Sequence, residues 1–184
     1  MTWDELKKEC EGCEKCPLSK TKTRTVFGTG NENATLMFVG EAPGGEEDLS
    51  GIPFVGRAGK LLDLYLEAVG IRREDVYIAN ILKCRPPQNR DPAPCEQDQC
   101  FAYLREQIRL VRPKLIVCLG RIAAMRLIRE DYRITAEHGK WVKKGNFEMT
   151  AVYHPSLLLR DTSKREAMLV DMLSVARKLQ EITG

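Results

Sequence analysis

The residues best suited to chemistry begin with cysteine. Seven cysteines stand in a chain of 184 residues, and in a reducing compartment clustered thiols point to metal binding or catalysis rather than to disulfides. Cys13 and Cys16 are spaced C-x2-C in a glycine- and proline-flanked stretch, and Cys84 and Cys100 follow with fifteen residues between them. Four thiolates suit an iron–sulfur cluster or a tetrahedral zinc ion, and spacing alone does not choose between the two. Cys10 extends the first pair to C-x2-C-x2-C and competes for a ligand position, as Cys95 does with Cys100. Cys118, inside the apolar run Leu-Ile-Val-Cys-Leu, reads as core.

Three further constellations carry polar chemistry. Gly40-Glu41-Ala42-Pro43-Gly44-Gly45-Glu46-Glu47 leads into Gly51-Ile52-Pro53-Phe54-Val55-Gly56. A carboxylate followed by a glycine-rich loop can turn backbone N–H groups toward an anion or a planar ligand, and Phe54 is placed to stack on such a ligand. Asn80 closes Tyr-Ile-Ala-Asn, and a buried amide needs partners on both its oxygen and its nitrogen. An uracil edge, N3–H donor beside O4 acceptor, would supply both. His154, one of two histidines, runs into Pro155-Ser156 and then three leucines and Arg160. Leucines in a loop there would insert into something. The plainer readings are a surface acidic turn, a structural asparagine and leucines that open the last helix and pack inward.

These residues must be held by elements, and the sequence predicts which. Thr2-x-x-Glu5 is a capping box that starts a helix to about Cys10, with an irregular stretch from Cys13 to Asn33. Leu36–Glu41, Val76–Leu82, Leu115–Leu119 and Met149–Tyr153 are short, nearly continuous apolar runs, as expected of parallel strands covered on both faces. Helical stripes alternate with them: Leu61 to Val69, closed by Gly70; Phe101 to Val111, before Pro113; a short helix after Gly120; and a final helix capped by Ser163-x-x-Glu166, with Met168, Leu169, Met172, Leu173, Ala176 and Leu179 on one face. The expectation is an α/β fold, a three-layer α/β/α sandwich around a four-stranded, mostly parallel sheet, formed as one domain over residues 1–184. Ligands of such sheets bind beyond the carboxyl ends of the strands, where Glu41, Asn80, Gly120-Arg121 and His154 all fall.

Composition narrows the class. The chain is 43% apolar and 30% charged, normal for a globular enzyme. No apolar run is long enough to span a membrane, and the N-terminus lacks the basic and apolar regions of a signal peptide, so the expected location is cytoplasmic. A net charge of +3 permits a polyanionic partner, with any basic surface local.

Taken together, Glu41-Ala42-Pro43-Gly44, Pro53-Phe54-Val55-Gly56-x-Ala58-Gly59, Asn80 to Asp91 and His154-Pro155-Ser156-x-Leu158-Leu159-Arg160 resemble the motifs of the type 4 uracil-DNA glycosylases, from about Cys13 to the final helix. The resemblance implies an enzyme that flips deoxyuridine out of DNA, single- or double-stranded, and hydrolyses its glycosidic bond. It implies a structural [4Fe–4S] cluster on Cys13, Cys16, Cys84 and Cys100, and no other cofactor. Uracil would be held by Glu41, Ala42, Gly44, Glu47, Phe54, Asn80 and His154. His154 would donate to the departing O2, Glu41 would face the sugar, and Asn89 would position water. DNA would be met by Gly120, Arg121, Ser156, Leu157, Leu158 and Arg160, with Leu157 and Leu158 as the wedge. The better-known type 1 enzymes carry an Asp where Ala42 stands, Cys95 replaces a common acid and Leu157 a common Ala. The stretch after Cys84 lacks the inserted basic loop of the variant that traps DNA covalently. A monomer is expected. The competing readings are a glycosylase of the same superfamily with another deaminated base, and a non-catalytic metal-cluster module that binds nucleic acid.

Overall fold

The computed structural model describes all residues, 1–184. Four strands make the centre of the sheet: β2 (Leu36–Gly40), β3 (Tyr77–Asn80), β4 (Leu115–Leu119) and β6 (Phe147–Val152), all parallel. β2, β3 and β4 are buried at every residue, which explains their apolar runs without alternation. Two short antiparallel strands complete the edges, β1 (Thr29–Gly30) on β3 and β5 (Val142–Lys144) on β6. The sheet is therefore mixed and six-stranded, in the order β1-β3-β2-β4-β6-β5, and the expected count of four is corrected. A two-residue strand inside a polar stretch and a three-residue strand exposed throughout carry no apolar signal.

Side chains alternate across the sheet and meet a different helical layer on each face. Phe38, Ile78, Val117 and Val152 pack with Leu62 and Leu66 of α3 (Arg57–Ala68) and with Met168, Met172 and Val175 of α8 (Arg165–Thr183). On the other face Val39, Ala79, Ile116 and Ala151 meet Leu104 of α4 (Pro94–Val111) and Ala123 and Ala124 of α5 (Arg121–Leu127). A third, smaller cluster joins α1 (Trp3–Glu11) to α4 through Leu6, Cys10, Leu18, Cys84, Cys100 and Tyr103. The expected box on α1 is present, Glu5 N–H donating to Thr2 Oγ1 and Thr2 N–H to Glu5 Oε2.

Short helices fill the connections: α2 (Gly45–Ser50), α6 (Ile134–Glu137) and α7 (Pro155–Arg160). Two expectations fail here. The three leucines are not a loop but the body of α7, opened by Pro155, which has no N–H to waste at the first helical position. Ser163 does not cap the last helix; it sits in a 3-10 turn, Thr162–Lys164, and its N–H donates to Asp161. Of the stripe expected on α8, Met168 and Met172 are buried, while Leu169 and Leu173 are exposed.

Candidate active site

The carboxyl ends of β2, β3, β4 and β6 deliver their residues to one edge, and a cleft of about 370 Å³ opens there, within the usual size of small-molecule sites. Glu41, Ala42, Gly44, Glu47, Phe54, Asn80, Asn89, His154 and Ser156 all line it. Gly40, the last residue of β2, makes the floor possible. A Cβ there would stand 2.4 Å from Asn80 Oδ1 and 2.6 Å from Phe54 Cζ, so any other residue would fill the space between them.

Asn80 is 2% exposed, and its Oδ1 has no hydrogen-bond partner. A buried carbonyl oxygen left bare costs about 1–3 kcal/mol, a penalty that a ligand donor entering the cleft would remove. Phe54 holds a left-handed backbone, φ 54°, unusual for a bulky residue. Arg73 keeps it there: its guanidinium donates to the carbonyls of Phe54 (2.7 Å) and Pro53 (2.6 Å) and pairs with Asp63 at 2.8 Å. The Phe54 ring is 5.6 Å from the imidazole of His154, tilted by 34°.

His154 caps α7 rather than leading into a loop. The backbone N–H of Ser156 donates to Nδ1 at 3.1 Å, and Ser156 Oγ lies 2.7 Å from the same nitrogen. An Nδ1 that accepts leaves the ring proton on Nε2. Burial pushes the imidazole down to about 4, the nearby Arg160 charge acts the same way and Glu47 opposes both. The ring is therefore neutral at ordinary pH and still a donor. Gly120, at φ 93°, lets the backbone pass close by, since a Cβ there would approach His154 Cβ to 2.9 Å. The second histidine, His138, is bound to Asp171 at 2.6 Å and does not line the cleft.

Glu41 is half-buried at the cleft wall. Burial raises its carboxyl above the usual carboxylate range, Asp91 adds to the rise and Arg121 opposes it. Glu47 lines the cleft, but its carboxylate is occupied: it accepts from the N–H groups of Gly44 (3.1 Å), Val55 (3.0 Å) and Gly56 (2.7 Å). It clamps the glycine-rich loop to the Phe54 segment. The Gly44 N–H expected to face a ligand is consumed in that clamp. Asn89 sits at φ 54° and accepts from Arg85 Nε at 2.9 Å.

The residues expected to meet DNA are not gathered as fully. Leu158 is 0% exposed, within the core that includes Leu62, Tyr153 and Met168, so it is withdrawn as a wedge. Helix formation by Pro155–Arg160 turns it inward. Leu157 is half-buried and packs against the same core. Arg121 is paired with Asp91 at 2.6 Å, while Arg160 is exposed at the end of α7. Arg73, Asp63 and the clamping role of Glu47 were not legible from spacing. Nor was Glu96, buried on α4 and held by both arms of Arg90 at 2.8 Å.

The cysteines form a second locus. Cys13, Cys16, Cys84 and Cys100 line one small cavity between the segment after α1, the turn after β3 and α4, and Cys10 lines it too. Cys95 is exposed and outside it, and Cys118 is buried in β4. No three His, Cys, Asp or Glu side chains converge tightly enough to hold a single metal ion. The surroundings suit an anionic, thiolate-bound group. Lys83 donates its backbone N–H to Cys100 Sγ at 3.3 Å. Its buried ammonium meets only neutral acceptors, Phe27 O and Gln107 Oε1, and the buried Tyr103 hydroxyl beside the cavity has no partner. A buried cation ordinarily finds an anion.

Comparison with known proteins agrees with this edge. Residues 27–177 match the family model of the uracil DNA glycosylase superfamily. A type-4 uracil-DNA glycosylase of Archaeoglobus fulgidus is 47% identical, covering 98% of this chain and 93% of its own. One from Thermotoga maritima is 45% identical over 86% of this chain and 83% of its own, and one from Pyrobaculum aerophilum 38% over 94% and 92%. The chain belongs to the type-4 uracil-DNA glycosylases. As a member of that family it is a DNA-directed hydrolase whose cleft is formed by strand ends. No helix is long and apolar enough to cross a membrane.

Proposed function

We propose that this chain hydrolyses the N-glycosidic bond of a flipped-out deoxyuridine, releasing uracil and leaving an abasic site. The observation that carries the reading is the bare, buried Oδ1 of Asn80 in the cleft that also holds Phe54 and the Nε2 donor of His154. Uracil N3–H would satisfy that oxygen while the Asn80 amide donates to O4. Cytosine presents the opposite order and would leave both groups unpaired. Phe54, fixed by Arg73, would stack on the ring. As the bond breaks, charge gathers on O2, where the neutral His154 would donate; one such donor typically contributes about 3–4 kcal/mol. Glu41, ionised, would face the cationic sugar and orient water, with Asn89 a second water-positioning group. Glu47, on the cleft wall, would bound the uracil site and hold the loop it clamps.

Cys13, Cys16, Cys84 and Cys100 would hold a [4Fe–4S] cluster whose part is to tie the N-terminal segment to the turn after β3. The reading is supported by four thiols, an uncompensated Lys83 and the unpartnered Tyr103 hydroxyl around one cavity. The enzyme acts as a monomer of one domain on single- or double-stranded DNA. The test is a panel of oligonucleotides bearing uracil, hypoxanthine, xanthine or thymine, incubated with protein and cleaved by alkali at any abasic site. Scission at uracil, well above the other lesions, is expected; preference for a purine lesion would overturn the base assignment.

A further inference from the structure

Outside the cleft, the segment that follows the paired cysteines carries charge of one sign only. From Lys15 to Asn31 there are four cations (Lys15, Lys20, Lys22, Arg24) and no acid, in a chain whose net charge is only +3. Lys15 pairs with Glu9. Lys20 and Arg24 are exposed and Lys22 is half-exposed. None of these three forms an ion pair, nor does Arg85, whereas three cations of this edge do: Arg73 with Asp63, Arg90 with Glu96, Arg121 with Asp91.

The segment is also held in place. Asp48, 5% exposed on α2, accepts from the backbone N–H groups of Thr23 (2.8 Å) and Arg24 (3.3 Å). Val26 N–H donates to Lys83 O at 2.7 Å, which joins the segment to the turn that carries Arg85. Lys20 to Arg24 bury nothing of their own between the buried Leu18 and Val26, so a buried carboxylate that fixes the backbone there has a positioning role for the exposed basic side chains.

Its direction is set by α2, whose first residues line the cleft. Arg85 lies over the start of that helix, its guanidinium 3.5 Å from where a Cβ on Gly45 would stand, and Arg24 lies over its end, Cδ 3.7 Å from the same point on Gly51. Six residues of helix span about 9 Å, enough to set Arg85 and Arg24 against different phosphates of one strand. Glu46 does not intervene; it leans toward Gly56 on the far flank.

We propose that Arg85, Arg24, Lys22 and Lys20 form a track for DNA phosphates that leaves the cleft across α2 and runs toward the cysteine-rich segment, with Asp48 as its positioning residue. The proposal rests on the reading of the cleft as a uracil-DNA site, and it gives the cysteine-bound segment a part in binding. Phosphate contacts of this kind position the strand without reading sequence.

The test is salt-dependent binding of the full chain to a single-stranded oligonucleotide carrying a non-hydrolysable deoxyuridine analogue, and to the same strand with thymine. The variant is Lys20→Gln/Lys22→Gln/Arg24→Gln, with Arg112→Gln/Lys114→Gln, at the opposite end of β4, as control. Each lost phosphate contact should reduce the slope of log K against log salt by about 0.7 on a single strand, so the triple variant should be shallower by about 2 for both oligonucleotides. Its Kd near 0.1 M salt should rise roughly 10- to 100-fold, while its single-turnover rate at saturating DNA stays that of the parent. The three single variants, each a change on a surface side chain, should divide the effect among them. Slopes equal to those of the parent in the triple and single variants, or an equal loss in the control, would overturn the track. Absence of uracil excision by the parent chain would instead overturn the reading of the cleft.

Discussion

At the scale of single residues, the cleft depends on two groups whose hydrogen-bonding state is fixed before any ligand arrives. His154 accepts at Nδ1 and therefore offers Nε2–H, and with its ring pushed down to about 4 it stays neutral. The excision rate should thus show no inflection near pH 6.5 from His154. It should fall only in acid, as Glu41, raised above its ordinary range, takes up a proton and His154 follows. A step at pH 6–7 that persists in Glu41→Gln would contradict the neutral donor. Linkage gives a second readout. Between about 6.5 unfolded and about 4 folded, the unfolded chain binds the proton and the native chain does not, so stability is present above 6.5 and declines as pH falls toward 4. His154→Gln should lose stability less steeply between pH 7 and 5, measured by thermal melts. For Asn80, the Asn80→Asp change should bring measurable cytosine excision at an abasic-site mismatch and slow uracil excision, since a protonated acid presents the opposite donor order. Full uracil activity with no gain on cytosine would remove Asn80 from base reading.

Among the elements, α7 shows where the sequence could be read and where it could not. The parallel strands were legible because burial on both faces writes itself as unbroken apolar runs, and strand ends located Glu41, Asn80 and His154 without reference to contacts. The chain after His154 was misjudged. Leu157, Leu158 and Leu159 look stranded as a loop, but Pro155 at the first helical position winds them into a turn that carries Leu158 into the core. Leu158→Ala should accordingly cost about 2–5 kcal/mol of stability, the usual range for a buried leucine, seen in the denaturant midpoint. Its DNA affinity at 25 °C should remain near that of the parent. A large affinity loss with unchanged stability would return Leu158 to the DNA surface. The clamps, Glu47 on the N–H groups of Gly44, Val55 and Gly56 and Arg73 on the carbonyls of Pro53 and Phe54, bind side chain to backbone across 3 to 20 residues and have no periodicity to betray them.

For the molecule as a whole, one sheet edge carries the cleft, and the cysteine cavity lies between the N-terminal segment and the turn after β3. The edge strands were invisible in the sequence because two or three residues can pair by backbone alone, without an apolar run. Cysteine arithmetic left Cys10 and Cys95 open; the fold sets Cys95 outside the cavity and leaves Cys10 on its wall. Protein purified without oxygen should be brown, with broad visible absorbance from thiolate-to-iron charge transfer. Cys84→Ala and Cys100→Ala should lose that colour, whereas Cys10→Ala and Cys95→Ala should keep it. Colourless parent protein holding one zinc per chain would contradict the cluster. The central claim is that His154 stabilises the departing uracil, and it is tested most directly by single-turnover excision of uracil from an oligonucleotide, read by alkaline scission. The parent and His154→Ala are compared, with binding to the uncleavable analogue measured alongside. The expected result is rapid scission by the parent and a rate on the order of 10² to 10³ lower in His154→Ala, with affinity nearly unchanged. Equal rates for the two proteins, or a variant that fails to bind yet cleaves bound DNA at the parent's rate, would contradict it.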